Sequence, residues 1–498
     1  MPSHHVSVIH REAMSNIYQQ VLEKLLMHFT HAQRAALQLL VQRIGVAAGG
    51  PERLGQFKVL VAHGGGSTSG QCLALVRAAQ LSIAARHQDT FALRVATYRH
   101  SGMGQEVMGN IERGYAALSL HDDPRVELVV VDDQEVLPYD VLAPLSSATR
   151  LRNRTDLLVN GHLGGDGRAA LCHGCYLGRG DFYQRAMAWN GGVHALVSAQ
   201  SPMRQRRYLA WGLRAARQAG LGERAGVGGD SALEIIGRLG EAYHRQLYGE
   251  KPGTRRLPRP RRKVHVHTLA MDDLLAVAPE QHWRLLVEFL GFRFSAQALG
   301  FSETACANPL LMAHLQGLRA EHLEARTYGD GVAQYLRLAR QLMTRKGMPD
   351  HLVDLVLSAY DDPHKLQERR TLAQQHAHSN YTVSEEQLVC LLFAPFVDAG
   401  KRLAAWLASC QPDRVDTLAA LHQVLQGTRV DEPLCRWLTA VSGLSIQALR
   451  RLYGQHASNG PGPQTLIARL RASDPDGARV QVVDAHTGLA KTEWMCGR

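Results

Sequence analysis

The sequence predicts an α/β protein: a Rossmann-like parallel sheet with crossover helices, preceded by N-terminal helices and followed by a helical C-terminal domain. Three observations carry this. Between about residues 57 and 219, short apolar runs alternate with segments of helical periodicity, which is the pattern of strands joined by crossover helices. Those runs are apolar throughout, as strands covered on both faces are. From about residue 310 to 457 the helical period continues without convincing strands, as in DGVAQYLRLARQLM and QLVCLLFAPFVDAGKRLAAWLASC.

Taken in order, residues 13–47 read as helix. Ile17, Val21, Leu25 and Leu26, then Ala35, Leu37, Leu40 and Ile44, recur at helical spacing until Gly49-Gly50-Pro51 stops the run. FKVLVA (57–62) is the first strand, followed by a glycine loop and a helix over 70–86. FALRVAT (91–97), a helix over 104–118 and VELVVV (126–131) continue the alternation. TDLLVN (155–160) reads as a further strand, then a helix over 178–190, VHALVS (193–198) and a helix over 202–219. Residues 251–263, KPGTRRLPRPRRK, hold seven basic residues and three prolines and cannot form a helix interior, so they predict a projecting basic loop. KVHVHT (263–268) resumes as a strand, with helices over 271–277 and 280–290. NGPGP (459–463) is a turn, and RVQVV (479–483) is a strand of the tail. This divides the chain into an N-terminal helical segment (1–54), an α/β domain (55–315) and a helical C-terminal domain with a short tail (316–498).

A chain of 498 residues, at roughly 150 per domain, has ample length for a real core. No stretch approaches the roughly 18 apolar residues of a membrane helix, and MPSHHVSVIHREAM has no apolar signal core. The expectation is therefore a cytoplasmic protein with no membrane partner, in which a homo-oligomer is open. The 56 Lys and Arg exceed the 45 Asp and Glu, a formal charge of +11 that favours nucleotide or nucleic-acid partners without establishing them. Eight cysteines are spread along the chain, and only Cys172 and Cys175 are closely spaced, which is not how a disulfide framework is built.

The segment VLVAHGGGSTSGQCLAL sets His63, Gly64, Gly65, Gly66, Ser67, Thr68, Ser69 and Gly70 between the first strand and its helix. Ligands of a parallel sheet sit at the carboxyl ends of its strands. There glycines let a backbone approach a phosphate, the serines and threonine offer hydroxyls, and the helix start supplies unpaired N–H groups. A nucleotide phosphate fits that chemistry; a turn that merely permits tight helix packing is the plainer alternative. The loop has no Walker lysine and does not spell GxGxxG.

With its glycine loop and hydroxyls, ATYRHSG after the second strand and VELVVVDDQ at the third, the segment resembles the start of the PP-loop ATP pyrophosphatases, whose loop normally reads SGGxDS. On that resemblance Gly65 and Gly66 take the glycine positions, Thr68 stands where Asp is expected, and Ser69 keeps the final serine. CHGCYLGRGDFYQRAMAWNGGVHALVSAQSPMRQ is similar to the tRNA 2-thiocytidine branch, where a CxxC precedes a strand ending in GHxxDD; here that end reads SAQSPMRQ. GHLGGD (161–166) retains Gly161, His162 and Asp166 but precedes the CxxC, and Cys306 in CANPLL is the candidate third cysteine. The resemblance covers roughly residues 55–320. It implies ATP and Mg2+, phosphates bound by His63, Gly64, Gly65, Gly66, Ser67, Thr68 and Ser69, a nucleotide contact at His100, and catalytic roles for Thr68, Asp133 and Asp166. Because the family's acidic residues help hold magnesium, their loss requires Asp132, Asp133 or Asp166 to substitute, or leaves ATP cleavage weak.

Cys172, Cys175 and Cys306 offer three thiolates to a [4Fe–4S] cluster or a persulfide, or to Zn2+ if His173 or His162 joins them. An incidental CxxC is the alternative. Arg204, Arg206, Arg207, Arg214 and Arg217 crowd one segment and, with the basic loop, suit the phosphates of tRNA or another RNA, though a solvated helix face explains them equally. The expected function is an ATP-dependent adenylating transferase or ligase modifying tRNA or a small carbonyl substrate with sulfur or nitrogen. A catalytically degenerate nucleotide- or RNA-binding regulator is the second reading. A tubulin-like GTP-binding protein is the third.

Overall fold

The computed structural model describes residues 2–87, 89–100, 103, 105–164, 174–198, 202–221, 232–249, 266–275, 284–293, 308–345, 349–457, 466, 469–470, 478–483 and 490–495. Two helices open the chain, α1 (Pro2–His28) and α2 (His31–Ala48). The expected single run is broken at Thr30, whose hydroxyl accepts from the Gln33 amide while the Gln33 side chain accepts from Thr30 N–H, a reciprocal cap written in the sequence as T-x-x-Q.

The sheet comprises β1 (Lys58–Ala62), β2 (Ala92–Tyr98), β3 (Val126–Asp132), β4 (Glu135–Pro138), β5 (Ala195–Ser198) and β6 (His267–Ala270). Its order is β4-β3-β2-β1-β5-β6, parallel except for β4, which returns antiparallel on β3. Helices α3 (Ser67–Ala84) and α4 (Gln105–Ala117) make the first two crossovers. Then α5 (Ser147–Gly164) and α6 (Gly174–Ala188) lead to β5, and α7 (Pro202–Gln218) and α8 (Ala232–Tyr248) lead towards β6. The chain moves outward in opposite directions from β1 and β5, which puts the topological switch point of the sheet between them.

Alternation along the strands sends Val59 and Val61 to one face, against Leu40, Leu73, Val76 and Ile111, and Leu60 to the other, against Phe182 and Ala186 of α6. Two fully buried arginines brace this layer. Arg77 reaches the Leu118 and Ser119 carbonyls and the Asp123 carboxylate at 2.8 Å; Arg94 reaches Glu127 at 2.8 Å and the Ala186 carbonyl at 2.9 Å.

Residues 155–160 are a correction: TDLLVN is not a strand but lies inside α5. Every residue from Asp156 to Gly164 is buried, with Leu157, Leu158, Val159 and Leu163 in a core shared with α7, α8 and the C-terminal helices. A helix buried on all sides shows no amphipathic period, and a short apolar run then reads like a covered strand. β6 starts at His267, so 263–265 of the expected strand lie outside the described residues, and the residues before it include the basic loop. Of the helices expected after it, 271–275 form turns and Arg284–Phe289 is a short π-helical segment. β4 was not expected, because EVLP is short and follows directly on a turn at Asp133, which sits in the left-handed region at φ 54°.

The rest is helical: α9 (Pro309–Leu323), α10 (Tyr328–Arg345), α11 (Asp350–Leu357), α12 (Pro363–Tyr381), α13 (Glu385–Phe393), α14 (Leu403–Cys410), α15 (Leu418–Gln426), α16 (Glu432–Ser442) and α17 (Ile446–Tyr453). Asn308, Asp362, Ser384, Asp431 and Ser445 cap five of these with side-chain oxygens. A hairpin of β7 (Ala478–Val483) and β8 (Ala490–Met495) forms the tail. No helix among the described residues is long and apolar enough to cross a membrane.

Burial holds His63 and His376 down to a pKa of about 4 and His162 to about 3. The unfolded chain, with imidazoles near 6.5, therefore binds more protons between about pH 6.5 and 4, and stability present above 6.5 is lost as pH falls through that window. Urea unfolding should show a loss of about 2 kcal/mol per buried imidazole between pH 7.5 and 5. A flat profile over that range contradicts the buried, neutral state of these rings.

Candidate functional site

The loop after β1 is pinned by backbone hydrogen bonding. His63 N–H donates to the Ala96 carbonyl at 2.9 Å, and Thr97 Oγ1 donates to the His63 carbonyl at 3.0 Å, so the loop rises beside the end of β2. The His63 ring is buried, 5.4 Å from the Tyr115 ring, and its Nδ1 has no hydrogen-bond partner among the described residues. Gly64 and Gly66 are exposed, while Gly65 is buried at φ +72°. A Cβ on Gly65 would lie 2.7 Å from Val107 Cγ1 and 3.1 Å from the Val107 carbonyl oxygen, which only glycine avoids.

Gly66 is the residue before α3, extended at φ −86° and ψ 163°, and no side chain caps the helix. The first amides of α3 thus point out of the protein with the positive end of the helix dipole. Ser69 Oγ turns back to the Gly66 carbonyl at 2.9 Å. The Ser67 and Thr68 hydroxyls make no hydrogen bond to any described residue, and Thr68 is exposed. These amides and hydroxyls lie at the β1–β5 divide and make no capping contact, so they are donors that an anion could use.

The two acids expected at the end of β3 are committed to protein partners. Asp132 accepts from the Ser146 amide at 3.1 Å, from Ser146 Oγ at 2.8 Å and from the Thr149 hydroxyl, which fastens the start of α5. Asp133 pairs with Arg152 of α5. Among the described residues no group of three or more His, Cys, Asp or Glu is placed to hold a metal ion. His100 lies at the end of β2, its ring 5.7 Å from that of Tyr98, and burial with the nearby charge of Arg179 holds it down to a pKa of about 4. It is neutral at physiological pH.

Asp166, Cys172, His173, Cys306 and Ser101 lie outside the described residues, as does the side chain of Cys175, whose backbone begins α6. His162, the histidine of GHLGGD, is a helical residue of α5 with both ring nitrogens buried and without a partner among the described residues, 5.2 Å from the Phe396 ring. The four described cysteines, Cys72, Cys390, Cys410 and Cys435, are free, and burial pushes the Cys72 thiol up to about 12.

Sequence reasoning missed three cations at this edge. Arg99 is buried, donates to the Ala143 carbonyl at 3.0 Å and leaves Nε without a partner among the described residues. Arg152 holds Asp133, and Arg179 of α6 lies near His100 and 5.6 Å over the Tyr208 ring. Arg99 had a signal, standing directly after an apolar strand in ATYRHSG; the other two sit in helices whose orientation the sequence does not disclose. No family model, curated protein or solved structure matches the chain.

Gly65→Ala should lower stability by about 2 kcal/mol, the strain of a left-handed alanine added to the overlap with α4. Gly64→Ala has nothing within 4 Å of the new methyl and should stay within about 0.5 kcal/mol. Urea unfolding of the two variants checks the contrast, and equal losses would remove the wedge between loop and helix.

Proposed function

We propose that the chain binds ATP, with the phosphates on the amides of Ser67, Thr68 and Ser69 and the hydroxyls of Ser67 and Thr68. The reading rests on one observation above all, the uncapped amino end of α3 behind Gly64–Gly66 at the β1–β5 divide. As the resemblance to PP-loop pyrophosphatases implies, the bound ATP serves adenylation. A carbonyl oxygen of tRNA or a small substrate attacks the α-phosphorus, pyrophosphate leaves, and sulfur or nitrogen then displaces AMP. The amides and hydroxyls would donate hydrogen bonds to the phosphate oxygens, with the positive end of the α3 dipole behind them. Asp132 and Asp133 do not fit a magnesium site while each is held by its own partners, so no step is assigned to the metal.

That commitment favours a second reading, in which nucleotide is bound and not cleaved and the protein acts as a regulator or scaffold. Pyrophosphate release in the presence of acceptor separates the two. Guanine over adenine preference would point to the tubulin-like alternative. A cluster or zinc held by Cys172, Cys175 and Cys306 is read out by iron and zinc analysis of anaerobically purified protein.

Gly66→Asp tests the proposed phosphate site itself. The backbone there already has the geometry of a capping aspartate and nothing stands within 4 Å of the new Cβ, so the carboxylate should cap α3 and hold stability to within a few tenths of a kcal/mol. The same carboxylate occupies and repels the phosphate position. Calorimetry should show ATP binding to the native chain and at least tenfold weaker binding to the variant; no heat from the native chain at millimolar ATP would sink the reading.

A further inference from the structure

We infer that α7 is a docking rail for the phosphodiester backbone of an RNA duplex. The helix reads PMRQRRYLAWGLRAARQ and contains no acidic residue. Arg206, Arg207, Arg214 and Arg217 are all exposed, and none makes a hydrogen bond or ion pair with a described residue. At 3.6 residues per turn the four fall within an arc of about 120°, and their Cα atoms span about 16 Å along the axis. The opposite face is sealed: Tyr208, Trp211, Ala215 and Ala216 are buried, and Gly212 leaves no room for a methyl against Ile236 of α8.

Four unpaired guanidiniums in one line are a match for a polyanion, because each can take a phosphate bidentately. The stripe has no aromatic residue on which bases could stack, since Tyr208 and Trp211 face inward, so the backbone and not unpaired bases is what it can hold. An anionic membrane is a poorer match, for Met203 is the only large apolar side chain exposed on the described part of the helix. The wide, shallow minor groove of A-form RNA, flanked by phosphates and 2′-hydroxyls, accepts a helix lying on it. Because α7 follows β5, the rail starts at the same carboxyl edge as the glycine loop. The inference does not depend on ATP binding.

The test measures fluorescence anisotropy of a labelled RNA hairpin with the full chain at 50 and 200 mM KCl. Four phosphate contacts should weaken binding roughly a hundredfold between those salts. Changing Arg206, Arg207, Arg214 and Arg217 together to Gln should weaken binding at least tenfold and flatten the log–log salt slope by about three, with the melting temperature unchanged. The corresponding Lys variant should retain most of the affinity. Were the four Gln changes to disturb folding, the pairs Arg206→Gln/Arg207→Gln and Arg214→Gln/Arg217→Gln should each remove about half of the slope. Absence of RNA binding, a Gln variant within twofold of the native chain at the same slope, or a DNA hairpin of the same sequence bound as tightly as RNA overturns the inference.

Discussion

Gly65 pressed beneath α4 is the contact on which the candidate site depends. Its left-handed backbone and the nearness of Val107 and Ile111 leave space for hydrogen and nothing larger. That wedge, with the His63 amide on Ala96 and the Thr97 hydroxyl on the His63 carbonyl, fixes the path of the chain from strand to helix. Gly66 is then extended and α3 begins with its amides turned outward. A longer or looser loop would let a serine fold back as a cap and satisfy those amides internally. Here Ser69 reaches the Gly66 carbonyl instead, an acceptor, which leaves the donors free.

Charge is distributed around this edge in a way that favours anions. Asp132 spends its acceptor capacity on Ser146 and Thr149, and Asp133 on Arg152. Asp132 therefore joins the end of β3 to the first turn of α5, the helix that continues into the large helical core. Replacing it would loosen α5 as well as alter the edge, so loss of activity in an Asp132 variant is not in itself a sign of metal chemistry. The neighbouring imidazoles, His63 and His100, are neutral because burial costs more than protonation returns. What remains is the helix end and the cations Arg99 and Arg179.

The sequence made the α/β layer legible and the helical layer only partly so. Strands β1, β2, β3 and β5 stand out because doubly covered strands are continuous apolar runs between turn residues, and the glycine loop is placed by its position between the first strand and its helix. TDLLVN misleads for the same reason in reverse, since a helix wrapped by α8, α12, α13 and α17 has no polar face along this stretch to give it a period. The acids after β3 were legible as residues at a ligand-facing strand end but not as capping and pairing groups. Their partners, Ser146, Thr149 and Arg152, lie 14 to 19 positions onward, and nothing in local spacing links them.

Helix α6 connects the sheet edge to the helical core and, through it, to α7. Phe182 and Ala186 pack it on β1, β2 and β3, whereas Leu177 belongs to the core of α5, α7 and α8. Gly178 lies against the Tyr98 hydroxyl and Gly180 against Ile236, two close approaches that let α6 lie between layers. Arg179 is the residue between them. Its charge acts on His100 at the end of β2, and its guanidinium lies over Tyr208, the buried anchor of the arginine-bearing helix. The contact with the Tyr208 ring contributes about 0.5–2 kcal/mol of cation–π attraction. One side chain thus faces both the end of β2 and the buried side of the arginine-bearing helix.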